Sequence, residues 1–175
     1  NEGSELLMPN AITPLANHAQ RPRAFFEGLL SELAHFDPSF ELPFYATADA
    51  AGADIRASFP NKDSVTVAPG ARVLIPTGLA FEIPARHEIQ VRPRSGLSLK
   101  SPLLVVNAPG TIDADYRGEV QIIVGNFGTE PFVIEHGLRL AQLVFAPVWQ
   151  AKYVSSEVLT ETARGAGGFG STGVN

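Results

Sequence analysis

The sequence predicts an all-β fold built from many short strands. The chain of 175 residues contains 16 glycines and 14 prolines, which separate short apolar stretches rich in Val, Ile and Phe. Several stretches alternate between apolar and polar residues, as in Glu88-Ile-Gln-Val-Arg92, which is the period of a strand with one buried face. Short strands separated by regular turn signals are typical of a sandwich, a barrel or a jelly roll. The candidate strands are residues 44–47, 53–58, 64–67, 72–75, 79–83, 88–92, 103–106, 119–126, 131–135 and 138–145.

Composition narrows the possible functions. The length is most simply that of one domain. The absence of cysteine excludes a disulfide framework and a thiolate metal site, and the 4 histidines are scattered without metal-ligand spacing. A zinc or non-haem iron enzyme is therefore not expected. The formal net charge of −5 argues against a protein that coats nucleic acid, so a phosphate-bearing ligand would need local arginines and backbone amides.

The sequence also bears on location. No apolar run approaches the length of a membrane span, and the first residues lack the basic-then-apolar pattern of a signal peptide. We therefore expect a cytoplasmic protein. An organelle or nuclear form, matured by removal of an import sequence, is the alternative that stays open.

The N-terminal extension, residues 1–40, departs from the strand pattern. Apolar residues recur at helical spacing at Phe25, Phe26, Leu29, Leu30 and Leu33. Pro22 suits an early helical position, and Asp37-Pro38 should end the helix. The pattern predicts a helix between Arg21 and Asp37. We interpret it as packing on the β core, and the alternative is a docking helix for an unknown partner protein.

The segment from Asn107 to Tyr116 carries the clearest chemistry. It places one acid, Asp113, on a tight hairpin whose backbone groups and Asn107 amide can surround a planar polar ligand. A lone carboxylate beside a recognition loop can deprotonate a bound water. The alternative is an ordinary hairpin, with Pro109-Gly110 at the turn and a solvated Asp113.

Polar residues interrupt two strand-like segments, residues 49–56 and 137–145. A further group of polar residues lies in the loop after residues 88–92. Arg94, Ser95 and the amides around Gly96 could bind phosphoryl oxygens, although a solvated basic loop would have the same sequence. Arg139 and Gln142 interrupt an apolar run and need partners if they are buried. Asp54 is a candidate partner for an arginine, either in a structural salt bridge or in a catalytic role.

The C-terminal segment, residues 161–175, is dense in glycine and is predicted to be disordered in isolation. Its spacing formally fits a dinucleotide fingerprint and nearly fits a P-loop, but no helix can follow it. Arg164 offers a fork of donors for a terminal phosphate, and Ser171 and Thr172 offer hydroxyls. Phe169, alone among the glycines, could stack on a planar base when the tail closes.

Taken together, five segments resemble, in the same order, the motifs of the trimeric dUTPases. The segments are Ala51-Gly-Ala-Asp54-Ile-Arg, Arg92-Pro-Arg-Ser95-Gly-Leu, Asn107-Ala-Pro-Gly-Thr-Ile-Asp113-Ala-Asp-Tyr116-Arg-Gly, Gly137-Leu-Arg139-Leu-Ala-Gln142-Leu-Val and Arg164-Gly-Ala-Gly-Gly-Phe169-Gly-Ser-Thr172-Gly. The resemblance implies a distorted jelly-roll or β-barrel subunit of a homotrimer with shared active sites. It implies a core at residues 41–160 and a flexible lid at residues 161–175. The implied reaction is hydrolysis of dUTP to dUMP and pyrophosphate, which limits uracil in DNA and supplies dUMP for thymidylate synthesis.

The resemblance also implies roles for individual residues. Asp113 would activate the water that attacks the α-phosphorus, and Tyr116 would stack under the deoxyribose and exclude a 2′-hydroxyl. Uracil would be read by the hairpin, that is by Asn107, Gly110, Thr111 and Ile112. The phosphates would be held by Arg94, Ser95, Gly96, Gln142 and Arg164. Gln121 would lie against the nucleotide, and the closing tail would contribute Phe169, Gly170, Ser171 and Thr172.

Mg²⁺ is the implied cofactor. The triphosphate and waters would hold most of its coordination sphere, with Asp54 in an outer shell only, and Arg139 would give structural support. This agrees with the preference of Mg²⁺ for retaining waters and using few protein ligands. Two other functions stay open on the same fold. A dCTP deaminase should carry a catalytic glutamate and a different sequence around Asp113, and a nucleotide-sensing regulatory protein would signal through the extra helix.

Overall fold

The structure is a computed structural model that describes residues 29–33 and 35–168. Within those residues the chain forms eleven β-strands and one short α-helix. Their bounds are β1 Leu29–Glu32, β2 Ala53–Arg56, β3 Ser64–Val67, β4 Arg72–Pro76, β5 Leu79–Glu82, β6 His87–Pro93, α1 Ser95–Lys100, β7 Leu103–Val105, β8 Gly110–Ile112, β9 Gln121–Asn126, β10 Phe132–Glu135 and β11 Arg139–Pro147. The predicted all-β class is confirmed.

The strands form four sheets, and every pairing between them is antiparallel. The largest sheet has the order β2-β11-β6-β8, and a second has the order β4-β9-β7. The other two are the pairs β10-β3 and β1-β5. β11 and β6 are central in the largest sheet. Arg139 and Gln142 lie on β11, Arg94 follows β6, and Asp54 lies on the neighbouring β2.

One hydrophobic core lies between these sheets. Residues from different sheets are almost fully buried and belong to the same cluster, among them Ile55, Ile75, Ile122, Ile134 and Leu140. Alternate residues face this core, as in β6, where Ile89 and Val91 are buried. Burial of each such side chain stabilises the fold by about 1.5–3 kcal/mol. Truncation of one of them, as in Ile122→Ala, should cost about 2–5 kcal/mol because it also leaves a cavity.

Most of the predicted strands are present, with three corrections. Residues 44–47 form no strand, and only Phe44 makes an isolated bridge, to Asp54. Residues 110–112, predicted as part of a turn, form β8, because they pair with residues 89–91 of β6. Residues 95–100, predicted as a loop, form the helix α1.

The predicted helix in the N-terminal extension is wrong where the structure describes it. Leu29–Glu32 form β1, which pairs with β5 from Leu29 opposite Glu82 to Glu32 opposite Leu79. The N–H of Leu33 continues the pairing by donating to the Gly78 carbonyl at 2.7 Å. The edge of β5 offers backbone partners to this segment, and tertiary pairing of this kind overrides helical spacing. Residues 21–28 and residue 34 of the predicted helix lie outside the described residues. Among the described residues, none belongs to a helix with the length and apolar character needed to span a bilayer.

A buried carboxylate fixes the segment after β1. Asp37, 6% exposed, accepts from Lys62 Nζ at 2.7 Å, the Ser39 N–H at 2.9 Å and His136 Nε2 at 3.1 Å. The N–H of Phe59 donates to His136 Nδ1 at 3.1 Å, so the proton of this imidazole lies on Nε2 and points at Asp37. Lys62, the Ser39 backbone and hydroxyl, and His136 hold the pKa of Asp37 far below its ordinary value, against the opposing effect of burial.

Candidate active site

The hairpin before Asp113 is shaped by close packing of its backbone. A cis peptide joins Ala108 to Pro109, and β8 follows directly. A Cβ on Gly110 would lie 3.0 Å from Asn107 Nδ2 and 3.4 Å from Val91 Cβ. Glycine therefore allows the amide of Asn107 to fold back over β8. The predicted hairpin is wrong as a strand pairing, because β7 pairs with β9 and β8 pairs with β6, so the segment is a turn that joins two sheets. The turn carries the exposed amide of Asn107, and residues 107–112 are called the hairpin below.

A cleft of about 280 Å³ lies beside this hairpin. It is lined by Leu74, Asn107, Thr111, Ile112, Asp113, Tyr116, Glu119, Val120, Gln121 and Ile123. The structure therefore brings together the hairpin, the acid, the tyrosine and the glutamine that were predicted to act on one ligand. Asp113 is exposed, and it also lines a second cavity of about 740 Å³ that includes Arg86 and Trp149.

The ring of Tyr116 is held at the mouth of the cleft. Its N–H donates to the Asp113 carbonyl at 3.2 Å, and its hydroxyl donates to the Glu119 carbonyl at 3.0 Å. A Cβ on Gly118 would overlap the phenol ring, so glycine is needed for the ring to lie across the chain at this point. The side chain remains 47% exposed, which leaves a ring face available to a ligand.

A second group of polar residues lies where β2, β11 and β6 run side by side. Arg94 Nε donates to Asp54 Oδ1 at 2.8 Å, and Arg139 Nη1 approaches Asp54 Oδ2 at 3.3 Å. Arg94 Nη1 also donates to the Arg139 carbonyl at 3.2 Å. The prediction that Asp54 pairs with an arginine is confirmed, and the carboxylate in fact bridges two of them.

Gln142 on β11 belongs to the same group. It lies opposite Asp54 on one side and Arg92 on the other, and its Nε2 donates to the Pro93 carbonyl at 2.9 Å. A Cβ on Gly52 would overlap the Gln142 amide. Gly52, directly before β2, therefore leaves space for the side chain of Gln142 on β11.

Ser95 and Gly96 form the first turn of α1, directly after Arg94. Both residues are exposed, and the position of a Cβ on Gly96 would meet nothing within 4 Å. The first N–H groups of a helix have no partner inside it and favour an anion. Arg94, as the residue before the helix, has an extended backbone and no side-chain cap. The arrangement can present a guanidinium, a hydroxyl and backbone N–H groups to a phosphoryl group.

The second group of residues lies apart from the described lining of the hairpin cleft. Of the described residues, Arg94, Ser95, Gly96 and Gln142 are not among those that line the cleft beside the hairpin. β8 pairs with β6 only up to Val91, and Arg94 lies three residues further, about 10 Å along an extended chain. The described lining of the hairpin cleft therefore does not extend to the residues around Arg94.

The predicted lid is described only in part. Arg164 is exposed, and its Nε donates to the Gly167 carbonyl at 2.8 Å within a turn closed by the Thr162 carbonyl and the Gly165 N–H. The predicted tail residues Phe169, Gly170, Ser171 and Thr172 lie outside the described residues.

Comparison with known proteins decides the family. The sequence model of the dUTPase family matches residues 39–173. A deoxyuridine 5'-triphosphate nucleotidohydrolase of Roseobacter denitrificans is 58% identical over 137 residues, which cover 78% of this chain and 90% of that protein. One of Sinorhizobium medicae is 51% identical over 146 residues, which cover 83% of this chain and 91% of that protein. The chain belongs to the dUTPase family.

Solved structures agree with the fold. A mutant dUTPase of Staphylococcus bacteriophage 80alpha, solved with dUpNHpp, matches with a TM-score of 0.74 at 26% sequence identity and covers 85% of this chain and 99% of that chain. The resemblance to the family and the predicted jelly-roll core are therefore confirmed. As a member of the dUTPase family, the chain is an enzyme of the dUTP diphosphatase class.

The metal that the dUTPase family implies has one predicted protein contact, Asp54. Both oxygens of that carboxylate already face arginines, at 2.8 and 3.3 Å. The described residues contain no group of three His, Cys, Asp or Glu side chains that could hold a metal ion. These donors fit a cation that keeps its waters and meets Asp54 through one of them, since a carboxylate retains further lone pairs for a water.

One residue of the dUTPase cleft was missed from the sequence. Glu119 lines the cleft between Tyr116 and Gln121, and its Oε2 accepts from Gln121 Nε2 at 3.3 Å. The sequence carried a signal for it, because Glu119 is the only charged residue in the stretch of residues 119–126. That position was interpreted only as the beginning of a strand.

Proposed function

We propose that this chain hydrolyses dUTP to dUMP and pyrophosphate, with Asp113 as the base that orients and deprotonates the attacking water. One observation carries the proposal: Asp113 shares a single cleft with Asn107, Tyr116 and Gln121. A carboxylate beside a pocket with the size and polarity of a nucleoside is the arrangement that such a reaction needs. The similar bacteriophage dUTPase was solved with dUpNHpp, a dUTP analogue, which supports the same ligand class.

The reaction is a single displacement at the α-phosphorus. The water transfers a proton to the Asp113 carboxylate while its oxygen bonds to phosphorus. The bond from that phosphorus to the oxygen shared with the β-phosphate then breaks, and pyrophosphate leaves. No covalent intermediate is required, since the described cleft offers no activated serine or cysteine nucleophile.

Substrate selection follows from the hairpin and the tyrosine. We propose that Asn107 and the backbone of Gly110, Thr111 and Ile112 hydrogen bond to the uracil edge. A cytosine edge would leave these groups unpaired in a closed site, which is a strong basis for rejection. The tight turn would exclude the methyl group of thymine. Tyr116 would lie under the deoxyribose and leave no room for a 2′-hydroxyl.

The phosphates would be bound by the second group of residues. Arg94, Gln142 and the first turn of α1 would neutralise and orient the triphosphate, and charge stabilisation of this kind is often the largest catalytic contribution. Mg²⁺ would supply additional neutralisation of the phosphates when bound. Asp54 would orient one of the metal's waters while it holds Arg94.

We further propose that the complete site forms between chains of a homotrimer. Arg94, Ser95, Gly96 and Gln142 are not among the residues that line the hairpin cleft, which supports a site in which another copy supplies the phosphate contacts. After β11 the described chain continues as an extended segment whose exposed apolar side chains are Trp149, Tyr153, Val154, Val158 and Leu159. Exposed apolar clusters of this kind mark surfaces for association. The tail that begins at Arg164 would then close over a neighbour's site and exclude bulk water.

A pyrophosphate-release assay with Mg²⁺ tests the proposal on dUTP, dTTP, dCTP and UTP. We expect turnover of dUTP alone, and we expect Asp113→Asn to bind dUpNHpp while losing about 10²- to 10⁴-fold in kcat. Asp115→Asn is the matched control, because its exposed carboxylate is outside the hairpin cleft. Near-normal turnover by Asp113→Asn would refute the base. Ammonia release from dCTP would replace the proposed reaction by a deamination.

In the cell, the proposed reaction would lower the dUTP available to DNA polymerases and supply dUMP for thymidylate synthesis.

A further inference from the structure

A second carboxylate, Glu119, organises the wall of the cleft opposite the hairpin. Its Oε1 accepts the N–H groups of Thr77 and Gly78 at 3.0 and 2.9 Å, and its Oε2 accepts from Gln121 at 3.3 Å. The Thr77 hydroxyl donates to the Val120 carbonyl at 2.6 Å, so the turn at Thr77 and Gly78 also bonds to the residue after Glu119. Glu119 therefore fixes the turn between β4 and β5 to the start of β9.

The N-terminal extension supplies the remaining contact to this carboxylate. His35 Nε2 lies 2.8 Å from Glu119 Oε1, and an ionised carboxylate can only accept, so the imidazole is the donor. His35 precedes residue 39, where the match to the dUTPase family model begins. The histidine itself is well placed, since its carbonyl accepts from the buried Ser58 hydroxyl at 2.8 Å.

The chain between Asp113 and Gln121 depends on this arrangement at two points. The Tyr116 hydroxyl donates to the Glu119 carbonyl at 3.0 Å, and Gln121 is held by the Glu119 carboxylate. A shift of Glu119 would therefore move groups that line the cleft on both sides of it. A hydrogen bond to a charged group is stronger than one between neutral groups, so it can select one side-chain position.

We propose that His35 is a positioning residue for nucleotide binding, acting through Glu119 on Gln121. The inference rests on the proposed function, because Gln121 is taken to contact the bound nucleotide. His35 does not touch the cleft itself, so it affects how tightly the nucleotide is held and not the chemical step. The extension thereby supports the wall of the cleft without lining it.

The first test is His35→Ala in the full chain, assayed for dUTP hydrolysis and for dUpNHpp affinity by calorimetry. We expect the KM for dUTP and the Kd for dUpNHpp to rise about three- to tenfold, with kcat within about twofold. His35→Gln, whose amide can donate to Glu119, should restore most of the affinity. Lys62→Met is the control, because it removes an ion pair to Asp37 in the same segment and leaves His35 in place. If His35→Ala does not fold, His35→Asn replaces it, since its shorter amide does not reach the carboxylate.

The second test asks whether His35 acts through Gln121. In a double-mutant cycle, His35→Ala should raise KM much less in a Gln121→Ala background than in the wild type. Additive effects, or a failure of His35→Gln to restore affinity, would overturn the inference. A wild-type chain that neither hydrolyses dUTP nor binds dUpNHpp would instead refute the proposed function. A wild-type chain that does both, with unchanged KM in His35→Ala, would refute only the role of His35.

Discussion

Arg94 is held by Asp54, whose Oδ1 accepts from the guanidinium Nε at 2.8 Å. The two residues lie 40 positions apart in sequence. They meet because β2 and β6 both pair with β11 in the same sheet, so the contact between their side chains crosses β11. The hydrogen bond to Asp54 uses the Nε of the guanidinium, so both Nη atoms can donate to other groups. Nη1 donates to the Arg139 carbonyl at 3.2 Å. Asp54 thus determines the direction in which Arg94 presents its guanidinium group.

Asp54→Asn should weaken the contacts of this side chain to Arg94 and Arg139, because it removes the negative charge and keeps the size of the side chain. We expect the KM for dUTP to rise about tenfold, because an arginine that must be reordered at each binding event loses side-chain entropy. We also expect the Mg²⁺ concentration for half-maximal rate to rise, since outer-shell partners of a metal typically contribute about 10-fold or more to its affinity. Both quantities come from steady-state rates measured across dUTP and Mg²⁺ concentrations.

Arg139→Met is the control for Asp54→Asn, because it tests whether the loss of an ion pair to Asp54 is enough to change the Mg²⁺ requirement. It removes the weaker ion pair to Asp54 and leaves both the carboxylate and Arg94 in place. The requirement for Mg²⁺ should then stay at the wild-type level. If Asp54→Asn also leaves that requirement unchanged, Asp54 orients Arg94 only, and its assignment to the outer shell of the metal is wrong.

Tyr116→Ala should weaken the rejection of UTP. Removal of the ring opens the space that a 2′-hydroxyl would occupy, so the ratio of kcat/KM for dUTP to that for UTP should fall about 10- to 100-fold. The measurement is pyrophosphate release with each nucleotide under the same conditions.

Tyr116→Phe is the matched comparison. It keeps the ring and removes only the hydrogen bond to the Glu119 carbonyl, so selectivity should stay near that of the wild type while affinity falls by less than about tenfold. Unchanged selectivity in Tyr116→Ala would show that the ring does not exclude the ribose hydroxyl.

The sequence identified the polar residues of the site better than the elements that carry them. A contact between Asp54 and an arginine was predictable because Arg139 interrupts an apolar stretch, but Arg139 is exposed and the shorter contact comes from Arg94. β8 was not predictable, since residues 110–112 are few, begin with glycine and follow a proline turn. Their strand conformation comes from pairing with β6.

The error at Leu29–Glu32 has a related cause. Leu29, Leu30 and Leu33 fit a helical spacing, and that spacing is a local property of the chain. The hydrogen-bonding partner of this segment is β5, whose facing residues are about 50 positions further along. The charge of Glu119 marked its position in the sequence, but its contacts were not predictable, because the residues it joins come from β9, the β4–β5 turn and the extension. Contacts between distant segments decide these features, and a local pattern does not contain them.

Truncation before Arg164 should abolish most turnover and preserve the fold. Among the described residues, every member of the buried core lies before this point, so the chain ending at Ala163 should melt within a few degrees of the full chain. We expect kcat/KM for dUTP to fall at least about 100-fold, because an open site admits bulk water and loses the phosphate contacts of Arg164. Pyrophosphate release and thermal denaturation of both chains provide the test. Normal turnover by the truncated chain would contradict the proposal that the tail is a lid.

Acid should destabilise the fold through Asp37. Lys62, Ser39 and His136 hold the pKa of this carboxyl below its ordinary value of 3.8. The ionised form therefore stabilises the native state above that value, and the stabilisation is lost as the pH falls through 3.8 and below. In urea denaturation followed by circular dichroism, the free energy of unfolding should decline more steeply in the wild type than in Asp37→Asn between about pH 5 and about pH 2. Asp49→Asn, which neutralises an exposed carboxylate, should keep the steep wild-type decline. Parallel curves for the wild type and Asp37→Asn would mean that this buried carboxylate contributes nothing to the acid sensitivity of the fold.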